Sequence, residues 1–201
     1  MTSIIKLTDY EMALKQAYGN FIYQFDREFI GEDKYDEETG IENCIRGYGG
    51  ELAFLRWLSE HQVGAKYILN LVNQKSLLVF GISDFYIYKT RWHVGVRTVK
   101  QSSIYDNSIL YPAKYGKSAN IVVFLKSFSE GYEFLGWLTM AEIERMPLAE
   151  DSRLPKKGAR RVPLEKLRTE DELLSKIAPP QKVMPKKPRS YSDDATIAKY
   201  M

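Results

Sequence analysis

A change in residue pattern after Gly64 is the feature that most constrains the fold of this 201-residue chain. Before Gly64, apolar residues follow a helical period, and after it they form short runs rich in β-branched and aromatic residues. These runs are predicted to be strands, and several are separated by only a few residues, as in hairpins. The predicted strands are Lys66 to Val72, Leu77 to Phe80, Asp84 to Tyr88, His93 to Val99, Ile121 to Ser127 and Tyr132 to Leu138.

Two helices are predicted ahead of the strands. Thr8 and Glu11 have capping-box spacing at the start of a long first helix. The segment from Glu32 to Glu42 lacks regular apolar positions and is predicted to be a mobile acidic connection. A second helix then follows the glycines at positions 47, 49 and 50. This places Glu51 at the N-terminus of that helix and on its inward face.

Short helices follow the strands, since Thr139 and Thr169 each begin a further capping-box pattern. The order is therefore helix, helix, a block of strands and then short helices. This order predicts an α/β (α+β) fold with a mixed central sheet flanked by helices. It lacks the regular alternation of a barrel or of a doubly wound nucleotide-binding fold.

Positive charge and proline are concentrated towards the end of the sequence. The segment from Arg153 to Arg189 holds 12 Lys and Arg against 4 Asp and Glu, and six of the eight prolines lie between Pro155 and Pro188. The residues from Ala178 to Arg189 include too few large apolar side chains to form a core element. We therefore predict one domain over residues 1–177 and a basic, Pro-rich tail over residues 178–201. Contact with nucleic-acid phosphates, docking on a protein partner and a solvated terminus all stay open for this tail.

Composition narrows the class of protein. The longest apolar runs are far shorter than the roughly 20 residues of a membrane span, and no basic-then-apolar signal segment begins the sequence. Cys44 cannot form an intramolecular disulfide, so we expect a cytoplasmic protein without membrane contact. One Cys and two His cannot supply the usual structural zinc ligands, and no glycine pattern matches a phosphate-binding loop or a dinucleotide fingerprint.

Three elements carry residues that suggest a chemistry: Glu51 on a helix, Asp84 at the start of a strand, and the strand from Val94 to Lys100. In this arrangement, residues 45 to 175 resemble the PD-(D/E)XK nuclease superfamily, which has the restriction-endonuclease-like fold. The resemblance covers the segments GGELAFLRWL, DFYIY, VGVRTVK, NIVVFLKSF and YEFLGWLTMAEI, followed by VPLEKLR. It implies a site that binds Mg²⁺ and activates water to hydrolyse a phosphodiester.

The resemblance also implies roles for individual residues. Glu51 and Asp84 would bind the metal, and Arg97 or Lys100 would contact the scissile phosphate. Each carboxylate also has a structural interpretation, because Glu51 would satisfy backbone donors at a helix start and Asp84 would end a turn.

The sequence departs from the family at its acid-x-lysine pair. In one register Gly95 replaces the acid and Arg97 replaces the lysine, and in the other Thr98 and Lys100 restore only the lysine. Glycine cannot coordinate a metal, and the arginine guanidinium stays protonated. Strand alternation places Gly95 and Arg97 on one face, with Asp84 beside that face. An acid from Glu60, Asp106 or a partner would have to supply the missing ligand.

The basic cluster of Lys156, Lys157, Arg160 and Arg161 has two interpretations. In a nuclease fold it would bind DNA phosphates, and otherwise it would be a solvated loop. Three functions therefore stay open: a Mg²⁺-dependent DNA endonuclease, an inactive relative that binds nucleic acid or protein, and a scaffold whose tail docks on an acidic protein. A homodimer would suit the first, because cutting both strands of a duplex needs two active sites.

Overall fold

The computed structural model describes residues 4–30, 37–68, 83–112, 119–149 and 158–178. These residues form a mixed α/β structure, as predicted. Two 3-10 turns, Gln101–Ser103 and Leu164–Lys166, join neighbouring elements. The helices are α1 (Asp9–Ile30), α2 (Glu37–Glu60), α3 (Met140–Arg145) and α4 (Glu170–Ile177), and the strands are β1 (Ile4–Ile5), β2 (Ala65–Tyr67), β3 (Phe85–Ile87), β4 (Trp92–Lys100), β5 (Ile104–Tyr105), β6 (Ser108–Pro112), β7 (Ile121–Ser127), β8 (Tyr132–Thr139) and β9 (Ala159–Pro163).

The strands of the described residues form two sheets. The larger has six strands in the order β1-β8-β7-β4-β3-β2, and the smaller has the order β5-β6-β9. Strands β4 and β7 pair in parallel, from Val94 opposite Ile121 to Lys100 opposite Ser127. The other neighbours in the larger sheet pair antiparallel, so this sheet is mixed.

Strand β7 lies at the centre of the protein, and its side chains separate two apolar clusters. Ile121, Val123 and Leu125 pack on the side of α2 and α4. Val122 and Phe124 pack on the other side, with residues of β6, β9 and α3. A strand covered on both faces needs apolar residues at every position, which explains the uninterrupted apolar run in the sequence. The six-stranded sheet therefore lies between a helical layer and a second layer that contains the smaller sheet.

Helix α2 begins at Glu37, so the predicted acidic connection is wrong for residues 37–42. Residues 32–36 of that segment lie outside the described residues. Packing against α1 explains why these residues of α2 are helical. Ile41 and Ile45 extend the apolar face of α2 by one turn each. Gly19 of α1 lies so close to Ile45 that any side chain there would collide with it. This close approach of the two helices outweighs the weak helical propensity of the glycines in α2.

The three predicted capping boxes are present. The Glu11 amide donates to Thr8 Oγ1 at 3.2 Å, and the same reciprocal arrangement begins α3 at Thr139 and α4 at Thr169. The predicted strand from Leu77 to Phe80, most of the run from Lys66 to Val72, and residues 179–201 of the tail lie outside the described residues.

The sequence patterns do not predict β1, β5, β6 or β9. The hairpin of β5 and β6 turns at Asp106 and Asn107, whose φ angles are 48° and 52°. Two positive φ values in a two-residue loop are typical of a type I′ turn, for which Asp and Asn are favoured. Within the described part of the chain, no helix is long and apolar enough to cross a membrane.

Candidate functional site

Glu51 lies in the interior of α2, about four turns after Glu37. It is therefore not at the helix N-terminus, and its interpretation as a cap of backbone donors is wrong. Its Oε2 atom accepts a hydrogen bond of 2.6 Å from the Tyr67 hydroxyl of β2. Helix α2 thus directs this carboxylate towards the edge of the six-stranded sheet.

Asp84 lies immediately before β3 and is held by three hydrogen bonds. Its backbone amide donates to the Val94 carbonyl at 2.8 Å, and its own carbonyl accepts from the Ile68 amide at 2.8 Å. Its Oδ2 atom accepts from the Val96 amide at 2.6 Å. The side chain therefore bonds to the backbone of a neighbouring strand, which a residue that only ended a local turn would not do. This bond fixes the carboxylate where β3 begins to pair with β4.

The segment before Asp84 is also held firmly. Ser83 is buried, and its hydroxyl lies 2.7 Å from His93 Nδ1. The His93 backbone amide donates to Asn120 Oδ1 at 2.7 Å, and the His93 carbonyl accepts from the Asn120 backbone amide at 2.7 Å. His93 therefore has a structural role here, since it links the start of β3 to the residue that precedes β7.

The structure brings Glu51 and Asp84 into one partly buried place. Burial, and then the nearby Asp84 carboxylate, raise the pKa of Glu51 to about 8, although the Tyr67 hydrogen bond favours the ionised form. Burial also raises the pKa of Asp84 to about 6, and the Val96 amide opposes that change. Two carboxylates in a place that solvates them poorly repel each other, and protonation or a cation relieves the repulsion.

Three tyrosines lie around Glu51. Burial and the negative charge of Glu51 raise the pKa of Tyr67. Tyr48 lies one turn before Glu51 on α2, and Tyr18 of α1 stacks on it with ring centroids 4.6 Å apart. Burial also raises the pKa of Tyr18 and Tyr48, and Glu51 contributes to both shifts. The tyrosines were not predicted as site residues, although the spacing of Tyr48 and Glu51 puts them on one helix face.

Strand β4 supplies no acidic side chain to the pair. Val94 and Val96 belong to the cluster on the α2 side of the sheet. A side chain at position 95 would start 3.7 Å from the Ala119 Cβ atom and 4.0 Å from Val122 Cγ2, on the opposite side. The predicted alternation is therefore present, but apolar residues occupy the β4 positions on the side from which Glu51 approaches.

The two cations proposed from the resemblance differ in their surroundings. Lys100 Nζ lies 2.9 Å from Glu42 Oε2, and Glu42 is roughly 13 Å before Glu51 along α2. Arg97 follows Gly95 on the face of β4 opposite α2. Burial lowers the pKa of Arg46 of α2, Glu42 opposes this, and the charge of Arg97 lowers it further. The structure therefore adds Arg46 to the predicted cations and pairs Lys100 with Glu42, away from the carboxylates.

Arg160 and Arg161 lie on β9, in the layer on the opposite side of the sheet from α2. Arg160 Nη1 donates to the Met146 carbonyl at 2.8 Å, and Arg161 Nη1 lies 3.5 Å from Asp106 Oδ2. The structure thus does not bring these arginines to the carboxylate pair. Lys156 and Lys157 lie outside the described residues.

The acids suggested as replacements also have other surroundings. Asp106 faces Arg161 at the hairpin turn, and Glu60 Oε1 accepts a hydrogen bond of 3.1 Å from Arg56 at the end of α2. Across the ranges that the structure describes, no group of three or more His, Cys, Asp and Glu side chains is placed to hold a metal ion. Mg²⁺ keeps several waters and is bound through one or two carboxylates in many proteins. A Mg²⁺ ion bound here would be held by Glu51, Asp84 and water.

Comparison with protein-family models, with curated proteins and with solved structures finds no match for this chain. The site of this chain is a partly buried carboxylate pair, Glu51 and Asp84, with tyrosines of α1, α2 and β2 around Glu51.

Proposed function

We propose that this protein has a restriction-endonuclease-like fold and cleaves DNA by Mg²⁺-dependent hydrolysis, with Glu51 and Asp84 as the metal ligands. One observation carries the proposal: α2 and the start of β3 place two carboxylates together in a partly buried position. Bringing two like charges together away from water is costly unless protons or a cation compensate them. A divalent cation is the partner for which two such carboxylates are suited.

The surrounding residues would each have a role in this reaction. A bound Mg²⁺ supplies charge that polarises a phosphate and makes a bound water more acidic. Tyr67 orients Glu51 through its 2.6 Å hydrogen bond, and the Val96 amide holds Asp84 at the same distance. Arg97 or Lys100 would contact the scissile phosphate and stabilise its developing negative charge. Either would have to reach it from a distance, because Arg97 lies on the face of β4 opposite α2 and Lys100 pairs with Glu42. Because Arg97 stays protonated, it would not remove a proton from the attacking water.

A second function has its own observation in support. The acid-x-lysine pattern is incomplete, because Gly95 stands at the position of its acid. The neighbouring β4 residues on the α2 side, Val94 and Val96, are apolar. A relative of the nucleases that binds nucleic acid without cutting it would tolerate this loss. A protein scaffold is the remaining alternative, and its contact would involve the tail, of which only Ala178 is described.

Metal binding can be tested separately from cleavage. We would measure unfolding by urea at pH 8, with and without Mg²⁺ or Mn²⁺, for the intact protein and for Glu51→Gln and Asp84→Asn. Glu144→Gln is the matched control, because Glu144 is an exposed glutamate of α3. An ion present at ten times its dissociation constant would stabilise the intact protein by about 1.4 kcal/mol. We expect this gain in the control and its loss in both site variants.

Cleavage is then measured on supercoiled plasmid and on single-stranded and double-stranded oligonucleotides, with Mg²⁺, Mn²⁺ or EDTA. Metal-dependent cleavage that both site variants abolish would support the proposal. Cleavage that survives both substitutions would refute the assignment of Glu51 and Asp84. Salt-sensitive binding without cleavage would favour the non-catalytic relative, and neither activity would favour the scaffold.

A further inference from the structure

Two cations, Lys15 of α1 and Arg46 of α2, lie near Gly49 in the turn of α2 that precedes Glu51. Lys15 of α1 extends over the Tyr132 ring, with its Nζ atom 5.8 Å from the ring centroid. Lys15 and the Tyr132 hydroxyl both lie so close to Gly49 that any side chain there would collide with them. Arg46 lies one turn before Gly49 on α2 and donates a hydrogen bond to Asn43 Oδ1. Burial lowers its pKa, and the nearby Glu42 carboxylate opposes that change. Lys15 and Arg46 are therefore both associated with the turn of α2 that ends at Gly49, two residues before Glu51.

Aromatic side chains continue from the same place along α1. Tyr18 is one turn after Lys15, and it stacks on Tyr48 with an angle of 28° between the rings. Phe21 is one turn further, with its ring centroid 5.9 Å from that of Tyr18 and 45% of the residue exposed. The rings thus lead from the surroundings of Glu51 to the protein surface.

We propose that Lys15, Tyr18, Phe21 and Arg46 bind single-stranded DNA and guide it to Glu51 and Asp84. We name these four residues the strand-binding surface. Proteins that bind single strands combine cations that follow the phosphates with aromatic rings on which unpaired bases stack. In a duplex the faces of the bases are covered by their neighbours, so Tyr18 and Phe21 have no face on which to stack.

The inference rests on the proposed function only for the step of cleavage. It deepens that function by naming the substrate as a single strand, or a stretch of unpaired nucleotides within DNA. Binding itself requires neither metal nor hydrolysis. It can therefore be measured in EDTA with the full chain, where no Mg²⁺-dependent reaction takes place.

The experiment is fluorescence anisotropy of labelled oligothymidine and of a labelled duplex of equal length, each titrated with protein at several salt concentrations. The variants are Phe21→Ala and Arg46→Gln. Tyr88→Ala is the matched control. Tyr88 is 58% exposed, and its ring centroid lies 5.9 Å from that of Tyr86, as that of Phe21 does from Tyr18. It follows the end of β3 that is far from Asp84. The urea midpoint of each variant shows whether it is folded.

We expect the intact protein to bind the single strand at least tenfold more tightly than the duplex. Loss of one stacked base by Phe21→Ala should weaken binding about 5- to 150-fold. Arg46→Gln should reduce the slope of log affinity against log salt by about 0.7, as expected for one lost phosphate contact on a single strand.

Equal affinity for duplex and single strand, or equal binding by Phe21→Ala and Tyr88→Ala, would overturn the inference. Should Phe21→Ala fail to fold, an unchanged salt slope in Arg46→Gln would overturn it instead. Binding as expected, without metal-dependent cleavage, would support the strand-binding surface and refute the hydrolytic function. Duplex cleavage that needs Glu51 and Asp84 but not Phe21 would support the hydrolytic function and refute the strand-binding surface.

Discussion

Replacing Glu51 with Gln should remove a pH dependence that this residue gives to the stability of the fold. The ordinary pKa of a glutamate is 4.5, whereas burial and the Asp84 charge raise that of Glu51 to about 8. Between these two values the folded chain holds a proton that the unfolded chain has released. The free energy of unfolding therefore falls as the pH rises through this range. Asp84 acts in the same direction, mostly below pH 6, because its pKa is raised to about 6.

The size of the effect follows from the shift. One pKa unit corresponds to about 1.4 kcal/mol, and integration from pH 6 to pH 8 for a group with a folded pKa near 8 gives a loss of about 2 kcal/mol. Glu51→Gln cannot titrate, and its amide oxygen can still accept the Tyr67 hydrogen bond. The stability of the variant relative to the intact protein should therefore rise by about 2 kcal/mol between pH 6 and pH 8.

The assay is urea unfolding in EDTA at pH 6, 7 and 8, followed by the fluorescence of the buried Trp57 and Trp137. Glu144→Gln, on an exposed part of α3, should show the same change of unfolding free energy with pH as the intact protein. If Glu51→Gln also shows that same change, the Glu51 carboxyl is not held in its neutral form, and the reasoning about the pair fails.

Two further predictions concern α2 and α4. Gly50→Ala should destabilise the fold by about 1–3 kcal/mol, because the new methyl group would collide with Thr98, whereas Gly47→Ala should stabilise it by about 0.5–1 kcal/mol, because nothing lies within 4 Å of its Cβ position. Urea titrations of both variants test this contrast, and equal effects would contradict it. Thr169→Ala removes the capping box of α4 and should lower stability by about 1 kcal/mol, measured in the same way; an unchanged midpoint would show that the cap is dispensable.

The parts of the fold that local sequence determines were predictable. Capping boxes at Thr8, Thr139 and Thr169 begin three helices, and the apolar run from Ile121 to Ser127 is a strand with those bounds. The first half of α2 was not predictable, because its acidic residues and glycines become helical only when α1 packs against them. The contact of Gly19 with Ile45, which allows this, joins positions 26 residues apart.

In the candidate site, too, some residues could be predicted from local sequence and others depend on tertiary packing. A helix and a strand start suggested Glu51 and Asp84 from the sequence, and the structure brings these carboxylates together. Tyr67 and Arg46 were missed because only tertiary structure places them there. Arg160 and Arg161 were grouped with the site because charge density along a chain does not indicate which side of a sheet a strand will cover. Their strand, β9, belongs to the layer opposite α2.

The parallel pairing of β4 with β7 has a consequence for synthesis of the chain. Lys100 ends β4, and β7 begins at Ile121, so the ribosome must add about twenty residues before the partner strand starts. At roughly 5–20 residues per second this takes on the order of one to four seconds. During that time one edge of β4 and the apolar side chains that β7 will cover are open to other chains. A nascent chain stalled in this interval would therefore be a preferred target for chaperones, and a source of aggregation in their absence.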